Sequence, residues 1–256
     1  MTKILVGVAG LGSPAEEGLK KLKEKKIDCV EVAFTYKVYM SNAQAKKIGE
    51  LAKKLNIKLS VHAPYYINLN SKDKKKLEAS KRRIIQSCER AHYMQASCIV
   101  FHPGYYGSDA PEKTYENIKN AIQDLQKIIK KNNWKVKLAP ETTGKINVFG
   151  SIQEILKLIK DTKCSFCLDF AHLKARHQGK ITYEEILSKF KKFKNIHAHF
   201  SGIVWGKKGE RYHKSTPTVE IKNLIKAIKK SHIKIITIIN ESPTPILDSI
   251  KTKKLI

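Results

Sequence analysis

Six apolar runs in this chain each end on an ionisable side chain, and the intervals between them leave few folds open. The runs KLSVH, CIVFH, VKLAPE, SFCLD, IHAH and IITIINE close on His62, His102, Glu141, Asp169, His199 and Glu241. Successive separations are 40, 39, 28, 30 and 42 residues (102−62, 141−102, 169−141, 199−169, 241−199). Each is close to the length of one strand and its returning helix, which argues for a parallel α/β domain over a sandwich or a bundle. In a closed parallel barrel the strand ends meet at one mouth, so residues far apart in sequence would converge there.

Two earlier runs, Ile4 to Val8 and Cys29 to Phe34, complete a set of eight predicted strands. The others span Lys58 to His62, Cys98 to His102, Val136 to Glu141, Ser165 to Asp169, Ile196 to Phe200 and Ile233 to Asn240. Between strands the apolar residues switch to helical spacing, clearest in Tyr115, Ile118, Ile122, Leu125 and Ile129. Capping boxes mark helix starts at Ser41, Ser151 and Thr182, and at Ser13-Pro14-Ala15-Glu16, with proline at the first helical position. The expectation is an α/β fold, a single (β/α)8 TIM barrel over residues 1–256, because such barrels take about 250 residues. Ser201 to Pro217, interrupted by Gly202, Gly206 and Gly209, is predicted as the longest loop, on the face where barrels place function.

The formal charge of +27, from 50 basic and 23 acidic residues, favours a polyanionic partner such as nucleic acid. A general lysine bias is the competing reading, since lysines are spread over most predicted helices and only five arginines occur. The N-terminal MTKILVGVAGLGSP does not read as a signal peptide, and no apolar run approaches the ~18 residues of a membrane span. Five cysteines, an odd number set mostly within apolar segments, fit reduced thiols and a cytoplasmic protein. Cys164-x-x-Cys167 falls in a predicted strand, with no second pair to complete a zinc site.

Imidazoles and carboxylates at one rim are the donors that zinc takes. With His172, three residues after Asp169, and His213 in the long loop, the set exceeds the three protein ligands of a single catalytic ion and would serve two or three. Taken singly, each is equally a hydrogen-bonded strand end, and Asp169 or Ser201 could cap the following helix. His92, His177 and His232 have no matching partners. His197 shares a strand face with His199 and reads as a supporting hydrogen-bond donor or a polar residue of the barrel interior.

The runs VHAPYYINL (61–69), FHPGYYG (101–107), PETTGK (140–145), CLDFAHLKAR (167–176), HAHFSGI (197–203) and NESP (240–243) resemble, in order and spacing, the endonuclease IV family of apurinic/apyrimidinic endonucleases, especially its archaeal-type branch. The resemblance implies an eight-stranded barrel that binds two to three Zn2+ ions, with Mn2+ admissible at one position, and cuts double-stranded DNA at abasic sites. His62 and His102 would hold the first ion and Glu141 would bridge it to the second. Asp169, His199 and Glu241 would complete the second, and His172 and His213 would hold the third. Glu141 and Glu241 are the expected catalytic carboxylates. Tyr65 and Tyr66 correspond to a loop that wedges into the minor groove, and Tyr39 stands where bacterial members insert an arginine. Lys37, Lys145, Lys174, Lys207 and Lys208 are candidate phosphate contacts, and a monomer is implied.

Three departures stand out. Bacterial members carry an Asp-x-His pair for the third ion, whereas here Arg211 lies where the Asp would, with Glu210 one residue away as the substitute. The first strand ends in Gly7-Val8-Ala9-Gly10 in place of a Gly-Ala-His-Val-Ser run, and the inserted arginine is Tyr39. A metal-dependent sugar isomerase or epimerase on the same barrel, or a damaged-DNA-binding protein without cleavage, are the alternative functions.

Overall fold

Eight parallel strands in a computed structural model, which describes residues 2–256, lie in the order β5-β4-β3-β2-β1-β10-β7-β6. They are β1 (Lys3–Ala9), β2 (Cys29–Ala33), β3 (Lys58–His62), β4 (Cys98–Phe101), β5 (Lys137–Pro140), β6 (Cys167–Asp169), β7 (Asn195–Phe200) and β10 (Ile235–Asn240). The two ends of this order, β5 and β6, meet through a parallel bridge between Glu141 and Cys167 and a Ser165 N–H to Leu138 carbonyl bond of 2.8 Å. The sheet therefore curls round on itself as a (β/α)8 barrel.

Helices α1 (Ala15–Glu24), α2 (Asn42–Lys54), α3 (Lys74–Met94), α4 (Pro111–Lys131), α5 (Ile152–Thr162), α6 (Phe170–Arg176), α7 (Tyr183–Lys189), α8 (Thr218–Lys230) and α9 (Pro245–Leu255) form the outer ring. Their apolar stripes, such as Tyr115, Ile118, Ile122 and Leu125 of α4, join the outward-facing strand residues in one large core. Ser41, Ser151 and Thr182 form the predicted capping boxes. Ser13 does not. Pro14 is itself the N-cap residue of α1, leaving the serine one position too early to cap.

Period-2 alternation picks out the inward-facing residues. Gly7, Glu31, Ser60, Val100, Ala139, Cys167, His197 and Ile239 face the interior, and two residues further along each chain segment come Ala9, Ala33, His62, His102, Glu141, Asp169, His199 and Glu241 towards the C-terminal end. The predicted strand limits differ by one or two residues: His102 and Glu141 lie just past β4 and β5, β6 and β10 start two residues later than expected, and β1 extends one residue further at each end. The segment predicted as an irregular loop is instead an antiparallel hairpin, β8 (Gly202–Gly206) and β9 (Gly209–Lys214). Its glycines mark the turn and edges of paired strands.

Candidate metal centre

The six strand-end residues converge at the C-terminal mouth. Glu141 is fully buried and faces two ways: Oε2 lies 3.3 Å from His62 Nε2 and 3.1 Å from His102 Nε2, while Oε1 lies 3.2 Å from His199 Nδ1 and 3.1 Å from His172 Nδ1. His199 Nδ1 is also 3.3 Å from Glu241 Oε2. Three adjoining groups follow, each with ligand atoms close enough to share an ion: His62, His102, Glu141; Glu141, Asp169, His199, Glu241; and His172, Glu210, His213.

The spacing fits metal ligation. Donors 2.0–2.1 Å from a tetrahedral zinc stand about 3.3–3.4 Å apart, longer than the usual 2.7–2.9 Å of a charge-assisted hydrogen bond. Tautomers agree for two rings. His62 Nδ1 is 2.7 Å from the Ala63 carbonyl and His172 Nδ1 is 3.0 Å from the Thr142 carbonyl. A carbonyl can only accept, so each Nδ1 carries a proton and Nε2 is the nitrogen that would bind an ion once its own proton is displaced. Asp169 works twice. Its Oδ1 accepts the His172 N–H at 2.6 Å and starts α6, which sets His172 beside it, while Oδ2 is buried with no hydrogen-bond partner among the described residues. An unsatisfied buried carboxylate oxygen amid imidazoles is what a cation would complete.

The third group depends on a bulge. In the hairpin Val204 pairs with Tyr212 but Trp205 pairs with Glu210, so Arg211 is the extra residue. One inserted residue reverses the alternation, which puts Glu210 and His213 on one face. Glu210 Oε2 reaches His172 Nε2 at 3.4 Å, and Ser201 Oγ lies 2.8 Å from His213 Nδ1. Arg211 packs over Gly206, where a Cβ would come within 2.7 Å of its Nε. Glycine is required at the approach: Gly209 has φ +92°, and a Cβ on Gly144 would meet Glu210 Cβ at 2.7 Å.

The charges agree with this clustering. Burial alone would lower His62, but its hydrogen bond to Glu141 and the nearby carboxylates outweigh that and raise it to about 9. His172 and His199 are raised well above the ordinary imidazole value against the same burial, by Asp169 and Glu141 for the first and by Cys167, Glu241 and Glu31 for the second. Burial first, then Glu141 and Glu241, lifts Asp169 to about 6. Without ions the imidazoles hold protons that metal would displace.

A cavity of about 440 Å³ opens over the groups, bounded on one side by the small residues Ala9, Ala33 and Ser242. Tyr36, Tyr39, Tyr65 and Tyr66 are each more than half exposed, with Tyr36 and Tyr66 rings 6.4 Å apart. Of the lysines singled out, Lys37, Lys145, Lys207 and Lys208 are exposed. Lys174 is half-buried, its Nζ donating to the Ile181 carbonyl at 3.1 Å and lying over the Tyr183 ring. Sequence reasoning missed Tyr36, signalled by TYKVY, and Glu31, signalled by an acid between two valines of a buried strand.

Cys167, His197 and His199 also lie within ligand reach of one another. His197 Nε2 is hydrogen-bonded to Glu31 at 2.8 Å, and burial pushes the Cys167 thiol well up, away from the thiolate that an ion would need. His92, His177 and His232 lie outside every one of these groups. All five cysteines are buried and free. No helix among the described residues is long and apolar enough to cross a membrane.

A sequence-family profile described as xylose isomerase-like TIM barrel matches residues 19–253. An uncharacterized protein of Methanocaldococcus jannaschii is 36% identical over 266 aligned positions, covering 98% of this chain and 96% of its own. A probable endonuclease 4 of Mycoplasma genitalium is 28% identical over 231, covering 83% and 77%. Among solved structures, a D-tagatose 3-epimerase-like protein superposes with a TM-score of 0.74 at 19% identity over 98% of this chain and 95% of that one, a likeness of fold. The chain belongs to the xylose isomerase-like TIM barrel family and, within it, is related to the endonuclease 4 proteins.

Proposed function

We propose that this protein is a zinc-dependent endonuclease that hydrolyses the phosphodiester 5′ to an abasic site in duplex DNA, leaving a 3′-hydroxyl and a 5′-deoxyribose phosphate. The observation that carries the reading is Glu141 facing imidazoles on both sides, with a third His-Glu-His group adjoining. Bound zinc ions supply Lewis acidity and activate water for an in-line displacement. His62, His102 and Glu141 would hold one ion, and Glu141, Asp169, His199 and Glu241 a second. His172, Glu210 and His213 would hold a third, with Glu210 taking the part that spacing alone assigned to position 211. Glu141, with imidazoles on both sides, would keep two ions next to each other, and Glu241 would complete the second site, which is the catalytic role given to these carboxylates.

Substrate binding follows from the rim. Exposed Tyr65 and Tyr66 suit a wedge that replaces lost base stacking in a kinked duplex, with Tyr36 and Tyr39 beside them. Lys37, Lys145, Lys207 and Lys208 offer phosphate contacts. A sugar lacking its base costs less to extrude, and the side of the cavity bounded by Ala9, Ala33 and Ser242 leaves room for it. The protein would act as a monomer on DNA, its barrel forming one endonuclease domain.

One observation favours a second reading. Glu141, Asp169, His199 and Glu241 alone would make a single-ion site, which is all that a sugar epimerase on this barrel needs. His62, His102 and the third group are then superfluous, which is why the nuclease reading is preferred. Incubation with a duplex carrying one tetrahydrofuran abasic analogue, with and without chelator, tests it. Chelator-sensitive incision 5′ to the analogue is the expected result. Binding without cutting would leave a damage-recognition protein, and neither, together with metal-dependent epimerisation of a ketohexose, would replace the reading with the epimerase.

A further inference from the structure

The barrel interior is where side chains of a TIM barrel fill space, and Val100, Ala139 and Ile239 do so here. Glu31, Ser60 and His197 do not. Glu31 has no solvent exposure, and a carboxylate at that depth is costly to bury unless it is paired. Its Oε2 accepts from Ser60 Oγ at 2.8 Å and from His197 Nε2 at 2.8 Å. Its Oε1 stands 2.7 Å from Nε2 of His199, whose Nδ1 on the opposite edge of the ring faces Glu141 and Glu241 at 3.2 and 3.3 Å. Contacts below the ring thus have hydrogen-bond length, and contacts above it have the spacing of ligands around an ion. The Oε1 to Nε2 contact is short but off the line of an ideal hydrogen bond, and neither atom has another partner among the described residues.

We infer that Glu31 is the positioning residue of the second ion site: it draws the His199 proton to Nε2, leaves the Nδ1 lone pair aimed at the Glu141–Asp169–Glu241 group, and is itself held by Ser60 and His197. This deepens the metal-centre reading and rests on it. A group that only filled space would need no charge, whereas a carboxylate behind a ligating histidine fixes its tautomer and orientation. Glu31 lies below the ligands in the interior and touches the ion through His199 alone.

The test compares zinc-stripped full-length protein with its Glu31→Gln and Glu31→Asp forms, titrated with zinc against a chromophoric chelator, with bound ions counted by mass spectrometry. Glu31→Gln keeps volume and loses charge. It is expected to weaken one zinc by about 10- to 100-fold and to leave one ion fewer at limiting zinc, a loss confined to one ion that a general destabilisation of the fold would not produce. Glu31→Asp should recover part of the affinity. Wild-type affinity and ion count in Glu31→Gln would overturn the inference while leaving the metal centre intact, whereas a wild-type protein that takes up no zinc would remove both. Should Glu31→Gln fail to fold, His197→Asn decides: it frees one side of Glu31 and is expected to lower affinity severalfold, and unchanged affinity there counts against positioning.

Discussion

His62 and His199 leave strands that are hydrogen-bonded to neighbours on both sides, whereas Glu210 and His213 leave a two-stranded hairpin whose one bulge decides which residues face inward. The first pair inherits its placement from the barrel. Once the strands pair, period 2 and the strand ends fix the direction of each side chain. The second pair depends on Arg211 being the unpaired residue and on Gly144 and Gly209 allowing two loops to approach. Sites built on strands resist small changes; a site hung on a hairpin can be gained, lost or re-registered by one residue.

The largest effect should come from the residue common to two strand-built groups. Glu141→Gln is expected to cost on the order of a thousandfold in incision and to lower the zinc count, read by gel assay and metal analysis. Near wild-type turnover would break the claim that Glu141 joins two ions.

The hairpin is tested by a pair of variants. Glu210→Ala should remove the ion held with His172 and His213 and cost about 10- to 100-fold in incision, leaving the other two ions bound. Arg211→Asp should change activity by no more than about twofold, because its side chain lies over Gly206, away from His172. A gain on Arg211→Asp, with little loss on Glu210→Ala, would mean that the hairpin register is the other one.

A smaller effect concerns pH. In zinc-free protein His62 binds its proton more tightly folded, at about 9, than its ordinary 6.5. The stability this contributes is present in full below about 6.5 and is lost as pH rises through about 9, and His172 and His199 shift in the same direction. Glu31, Glu141 and Glu241 are held low, so their contribution disappears only as pH falls below the carboxylate range. The thermal midpoint of stripped protein should therefore decline from pH 6.5 to 9, and zinc affinity should rise over the same interval as protons cease to compete. A flat midpoint would indicate that the imidazoles are neutral in the empty site.

The same contrast explains what the sequence revealed. All eight strands and their terminal His, Asp and Glu residues were readable, because an apolar run that ends on a charged side chain carries its own register. Ends erred by a residue or two at Cys98 to His102 and Ser165 to Asp169, where the last or first predicted residues lie outside the ladder. The hairpin was not readable. GERYHK lacks alternation, since a bulge interrupts it, and the spacing rule that pointed to Arg211 assumes two residues per repeat. Glu31 escaped notice because CVEVA reads as an ordinary strand, and its meaning appears only when β2 is set beside β3 and β7 in the interior.

The most direct measurement is a crystal structure of zinc-loaded protein with anomalous difference density collected at the zinc edge. Three peaks are predicted, two of them sharing Glu141 and the third between His172, Glu210 and His213, with Arg211 turned away. A single peak held by Glu141, Asp169, His199 and Glu241, or none at all, would contradict the account.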